Sequence, residues 1–153
     1  MERNDLINSA GQLKQVSEKS AAEYSTKTGL LVELMNNRME DRPDILDLVG
    51  VNNVSMMKDN HANHARFMES IFHQRSPEVL TDTVLWVFRA YRSRNFSSTY
   101  WAAQLNTWIE ILKQELSPDC YLEIYPYYCW MQINIPTFNK LAEENLEIRY
   151  SVH

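Results

Sequence analysis

Apolar side chains recur along this chain at intervals of three and four residues, and hardly anywhere at intervals of two. That period belongs to helices that bury one face. Its clearest instance is the row Val54, Met57, His61, His64, Met68 and Ile71. Joined by Ala65 and Phe72, the row fills an arc of roughly 120°, the width of a core-facing helix surface. The pattern predicts a helix over residues 51–74 with two imidazoles turned inward. A second row, Trp101, Leu105, Trp108, Leu112 and Leu116, predicts another core helix opened by Ser97 or Ser98. Between them, Leu80, Val84, Val87, Phe88 and Tyr91 mark a helix over 77–94, and Val79 and Trp86 widen its arc towards a second face, as in a central helix or one at a subunit interface.

Start signals agree with the period. Ser76-Pro77-Glu78 and Ser117-Pro118-Asp119 each place a capping serine before a proline and an acid in the first turn. The serine accepts an orphan N–H, the proline gives up one that needs no partner, and the carboxylate meets the positive helix end. Arg42-Pro43-Asp44 is a weaker form. Leu30, Leu31, Leu34, Met35 and Met39 give a helix over 29–40, and Ile45, Leu46, Leu48 and Val49 a short one that Gly50 ends. Residues 4–26 carry Leu6, Ala10, Leu13, Ser17, Ser20 and Tyr24 at heptad-like spacing, but half of that stripe is small or polar. It reads as an N-terminal helical arm (1–26) that packs on a partner subunit or frays, ahead of a helical bundle domain (27–153). After Pro118 a stripe of Tyr121, Tyr125, Tyr128 and Cys129 keeps the helical period. Pro126 should kink it, and Pro136 should start a terminal helix through Phe138, Leu141 and Ala142. A short strand over 120–125 is the alternative there. The fold class expected is all-α: a single-domain helical bundle of six or seven helices, globin-like or four-helix-bundle-like.

Composition narrows the partners. With 153 residues, of which 44% are hydrophobic, the chain suits one core. Fifteen basic against twenty acidic residues give a net charge of −5 without a basic stripe, so nucleic acid is not an expected partner. No apolar run reaches the ~18 residues of a membrane span, and no targeting signal opens the chain, so a cytoplasmic protein without membrane insertion is expected. Cys120 and Cys129 would be about 13.5 Å apart on a helix, beyond disulfide reach, and read as core thiols.

Chemistry concentrates at the histidines. A buried imidazole needs a hydrogen-bond partner, a metal or a ligand in place of water. His61 and His64, three residues apart, have the spacing to share a metal or to ligate a haem or corrin axially, with Met57 and Met68 as soft donors. The alternative is a pair of satisfied core histidines. No carboxylate shares their arc, which argues against a di-iron or catalytic zinc site, and no metal site is assigned. The next histidine after His73 is His153, too far along for a globin pair. No glycine-flanked serine and no phosphate-binding loop is present, so no catalytic residue is assigned. Fifteen of the seventeen aromatic residues lie within residues 67–138, enough to wall a flat or acyl ligand or simply to fill a core. The candidate ligand-binding set is His61, His64, Met68, Trp86, Trp101, Trp108, Tyr121 and Tyr125.

Residues 60–105 carry Asn60, then His64 followed by Phe67-Met68, Ser76-Pro77, Trp86 ten residues after Ser76, Arg94 and Phe96. In this pattern the segment resembles the helical domain found upstream of cobalamin-binding domains in bacterial sensory regulators. In that family Asn60 stands where Asp is usual, and His64 with Phe67-Met68 resembles its His-x-x-Tyr-Leu. About 45 of the 153 residues are covered, and no downstream α/β cobalamin domain follows. Asp59-x-His61-x-x-His64 departs from the corrinoid motif Asp-x-His-x-x-Gly in its last residue and in its helical setting. The resemblance implies an all-α sensory or regulatory module that packs against, or helps cover, a tetrapyrrole-type ligand or a partner domain. The function expected is therefore a non-enzymatic helical sensor or regulatory interaction module, a homodimer or bound to a protein partner, with an aromatic-lined apolar or tetrapyrrole pocket. The alternative is a haem- or cobalamin-type cofactor carrier or enzyme subunit using His61 or His64.

Overall fold

The computed structural model describes the backbone of residues 2–151 and the side chains of residues 2–144. Among the described residues eight helices follow one another: α1 (Arg3–Ala10), α2 (Glu18–Glu40), α3 (Ile45–Val49), α4 (Val54–His73), α5 (Pro77–Arg92), α6 (Tyr100–Glu115), α7 (Pro118–Ile133) and α8 (Ile135–Ser151). Among the described residues there is no strand, and 120–125 is helical. The helix count exceeds the expected six or seven, and over residues 3–40 two helices form as expected but with the break between them moved from 26–29 to 11–17. Gly11 caps α1, Ser17 caps α2, and α2 then runs unbroken across residues 26–29 to Glu40. The break falls where the polar loop between Gly11 and Ser17 interrupts the period. Leu6 and Ala10 are buried within this chain, and α1 lies on α5.

Local signals act as the sequence implies at the other starts. Ser76 Oγ accepts the Val79 N–H and Ser117 Oγ accepts the Cys120 N–H. Gly50 ends α3 with φ +90°, a conformation that an L side chain resists. Helix α6 opens one residue later than expected, after Thr99, and Pro126 lies inside a helix that continues past it. Cys120 and Cys129 are free thiols, Cys120 buried and Cys129 half-buried.

Helices α2 and α7 meet through a reciprocal clamp at their starts. The Glu23 carboxylate of α2 accepts from Ser117 N (2.7 Å) and Ser117 Oγ (2.6 Å), the cap of α7. The Glu123 carboxylate of α7 accepts from Ser17 N (2.8 Å), Ser17 Oγ (2.9 Å) and the Ser20 hydroxyl at the start of α2. Each glutamate stands six positions after its own cap serine, so the two helix starts run antiparallel around the small pair Ser20 and Cys120, whose thiol donates to the Ser20 carbonyl. The donors hold Glu23 down at about 2, with Ser117 as the main cause, and hold Glu123 below its ordinary value as well.

Two packed groups result. Helices α2, α4, α6 and α7 form the larger body, with α3 against α4, while α5 packs on α1 and α8. Helices α4 and α5, although consecutive in the chain, share scarcely any backbone-level contact. Aromatic rings bridge the two groups instead: Phe88 of α5 stacks on Trp101 of α6 (centroids 4.5 Å apart, planes at 19°), and Trp130 of α7 meets Phe138 of α8 edge-on. The space that these bridges leave open between α4 and α5 is the site.

Candidate functional site: an apolar cavity between helices α4 and α5

The inward row of α4 folds as its period requires. Met57, His61, Ala65, Met68, Ile71 and Phe72 are buried, Val54 and His64 half-buried. His61 is fully enclosed: Nδ1–H donates to Asn36 Oδ1 of α2 at 2.7 Å, and Nε2 lies 3.4 Å from the Tyr100 hydroxyl, whose one proton it shares with Asn60 Oδ1. The Tyr100 hydroxyl and Gln104 Nε2 both donate to Asn60 Oδ1, at 3.2 and 3.0 Å. A polar thread thus runs from α2 through α4 to α6 inside an apolar core, satisfying groups that would otherwise be costly to bury.

His64 is held differently. Its Nε2 lies 2.7 Å from the Tyr128 hydroxyl of α7, and its ring leans on Trp108 at a centroid distance of 5.0 Å. Its Nδ1 has no hydrogen bond among the described residues. Loss of hydration pushes both imidazoles down to about 3, helped for His61 by the positive charges of His64 and Lys58. Both rings are therefore neutral around pH 7. Such a group makes hydrogen bonds but is a poor proton carrier near neutrality.

His64 opens onto a cavity of about 200 Å³. Helix α4 contributes Asn60, Asn63, His64, Phe67 and Met68 to its wall. Helix α5 contributes Thr83, Val84, Trp86, Val87, Phe88 and Tyr91, α6 contributes Trp101, Gln104 and Leu105, and α7 Met131. Buried side chains such as Met68, Phe88, Trp101, Leu105 and Met131 form the deep wall, while Asn63 and Trp86 are exposed at the mouth. Among the described residues no charged side chain lines it. The wall is mostly apolar, with Asn60, His64 and Gln104 supplying inner polar groups, a composition typical of small-molecule sites.

Four of the eight candidate residues, His64, Met68, Trp86 and Trp101, meet at this cavity. His61 and Trp108 lie behind it in the core. Trp108 is fully buried beneath both histidines, and its Nε1 has no hydrogen-bond partner. Tyr121 and Tyr125 lie elsewhere: they stack on each other (5.4 Å, 26°), with Tyr125 exposed, because α7 buries Cys120, Ile124, Tyr127, Tyr128 and Met131 instead. That helix carries apolar residues on every side, with Asp119, Glu123 and Gln132 as its few strongly polar positions, so the period alone did not choose its inner face. Asn60 and Gln104 were missing from the candidate set. Their signal was present, since each is an amide within an otherwise apolar arc, one turn before His64 and Trp108 respectively.

The residues present do not fit a tetrapyrrole. A cavity of ~150 Å³ accommodates one benzene ring, and four linked pyrroles need several times that space. His61 has no free nitrogen, and the Nε2 of His64 is taken by Tyr128. Among the described residues no cluster of three or more His, Cys, Asp or Glu has metal-site geometry, and no helix is long and apolar enough to cross a membrane. No protein-family model, curated protein sequence or solved structure matches this chain.

Proposed function

We propose that this protein is a non-enzymatic helical sensor or regulatory module that binds a small apolar molecule between α4 and α5. The observation that carries this reading is the cavity itself: an uncharged, mostly apolar space at the seam between the α5 group and the larger body, with a neutral His64 and two amides at its inner end. A ligand there touches α4, α5, α6 and α7 together. Filling the seam adds contacts between two groups that otherwise meet through aromatic bridges, the packing of α7 on α8 and the Trp130–Ser9 hydrogen bond, so occupancy favours one relative placement of α5 by its differential contacts.

The same helix carries the means of output. Val79 and Trp86, seven residues apart on α5, are 50% and 64% exposed. Trp86 also stands at the cavity mouth. A second copy of this chain docking through that face would meet an α5 whose placement depends on occupancy, which makes a homodimer the partner proposed here. The resemblance to helical domains of cobalamin-dependent regulators stands as support for a regulatory role alone, since the cavity does not take the cofactor.

Native mass spectrometry of the protein as purified, followed by hydrogen exchange with and without the retained molecule, tests this reading. The expected result is a small stoichiometric adduct whose removal speeds amide exchange in α5. An adduct of haem or corrin mass, or exchange in α5 that ignores occupancy, would overturn it.

A further inference from the structure

The inner end of the cavity limits what can bind there. Gln104 and Asn60 are 2% and 3% exposed, and both line the cavity. Gln104 Nε2 is spent on Asn60 Oδ1, while Gln104 Oε1 has no hydrogen bond among the described residues. His64, one helical turn beyond Asn60, likewise keeps Nδ1 uncommitted. The carboxamide oxygen of an almost fully buried residue and an imidazole nitrogen are thus left to a guest, with no Lys, Arg, Asp or Glu among the described residues of the wall to balance a charge.

Resting on the ligand-binding reading above, we propose that the cavity takes a small neutral molecule, one ring or a branched aliphatic body of that size. It bears a single hydroxyl or carboxamide that pairs with Gln104 and His64. The size follows from about 200 Å³ against the ~150 Å³ that holds one benzene. Neutrality follows from the wall: burying a carboxylate or an ammonium without a counter-charge is far more costly than burying an amide that finds partners. The polar group follows from the two uncommitted atoms, which a purely apolar guest would leave unpaired. A hydroxyl donates its one proton to Gln104 Oε1 and accepts from His64 when Nδ1 carries the proton, and a primary carboxamide, with two N–H groups, also serves the other tautomer.

The test uses three probes of one size on the full chain: benzamide, benzoate and ethylbenzene. Binding is read from the methyl resonances of Met68 and Met131, both on the cavity wall. Benzamide should shift both methyls and bind at least 100-fold more tightly than benzoate. Gln104→Met, which keeps length and removes the amide, should weaken benzamide about 10-fold, the worth of one buried hydrogen bond. Ethylbenzene binding should survive in that variant, which shows the cavity still formed, and Leu105→Trp should abolish binding of every probe by filling the space. Benzoate binding as tightly as benzamide, equal loss of benzamide and ethylbenzene in Gln104→Met, or no methyl shift with any probe would each overturn the ligand class. Benzamide binding with the expected preference but without any change in α5 hydrogen exchange would leave the ligand class standing and overturn the sensor reading.

Discussion

Replacing Glu23 by Gln should destabilise the protein at neutral pH and flatten its acid response. Glu23 accepts Ser117 N at 2.7 Å, Ser117 Oγ at 2.6 Å and Lys27 Nζ at 3.0 Å, and these donors hold it at about 2 against the usual 4.5. A difference of that size corresponds to about 3 kcal/mol favouring the ionised form in the fold. The side chain keeps 21% of its exposure, so water screens part of this, and about 1–2 kcal/mol is the contribution to expect. Because the folded value lies below the unfolded one, the stabilisation is complete above pH ~4.5 and disappears as pH falls towards 2. Glutamine retains one acceptor for the Ser117 cap but neither the charge nor the second oxygen. Urea unfolding followed by circular dichroism, at pH 7 and at steps down to pH 3, should give the variant a lower midpoint at pH 7 with an unchanged denaturant slope, and a thermal midpoint lower by roughly 2–8 °C. The two proteins should converge at the acid end. Equal midpoints at pH 7, or parallel acid profiles, would refute the clamp.

Three further outcomes follow from named side chains. His61 is buried and held at about 3, below the usual 6.5, so the unfolded chain takes up a proton that the fold refuses and stability falls as pH drops below 6.5; His61→Gln should remove up to about 2 kcal/mol of the stability difference between pH 7.5 and 5, and a His61 imidazole resonance, assigned by its loss in that variant, that titrates near 6.5 in the folded protein would contradict this. Trp86→Ala should weaken self-association in sedimentation experiments while the far-ultraviolet spectrum stays unchanged, because 64% of Trp86 is exposed and little of the core depends on it; undiminished association would remove the α5 face from the proposed dimer. Gly50→Ala should cost about 1 kcal/mol or more in chemical unfolding, since φ +90° at the end of α3 strains any L side chain; an unchanged midpoint would mean that this turn relaxes at no cost.

Much of the architecture was legible because helix signals are local. The serine-proline starts at Ser76 and Ser117, the Gly50 stop and the inward row of α4 all appear where spacing puts them. Errors occurred where local signals were weak or symmetrical. The first segment had a small, polar stripe, so nothing in its spacing showed that Leu6 and Ala10 are buried against α5. Helix α7 had apolar residues all round, so Tyr121 and Tyr125 were as plausible on the inner face as Ile124, Tyr127 and Met131, and of the expected stripe Tyr128 alone is buried. The histidine row was placed correctly, but its two members part company: Asn36 and Tyr100 enclose His61, whereas Tyr128 holds His64 at the cavity.

The sequence by itself determined the secondary-structure class, most helix starts and the inward direction of α4, because capping and a 3.6-residue period act within a few positions of the chain. Only the tertiary structure decided which polar groups meet and where space remains. Gln104 finds Asn60 across 44 positions, and the Glu23–Ser117 contact spans 94. The cavity is a property of no single helix. It is the volume left when α4 and α5 pack on different neighbours, a mismatch of two surfaces that no periodicity along one chain segment encodes.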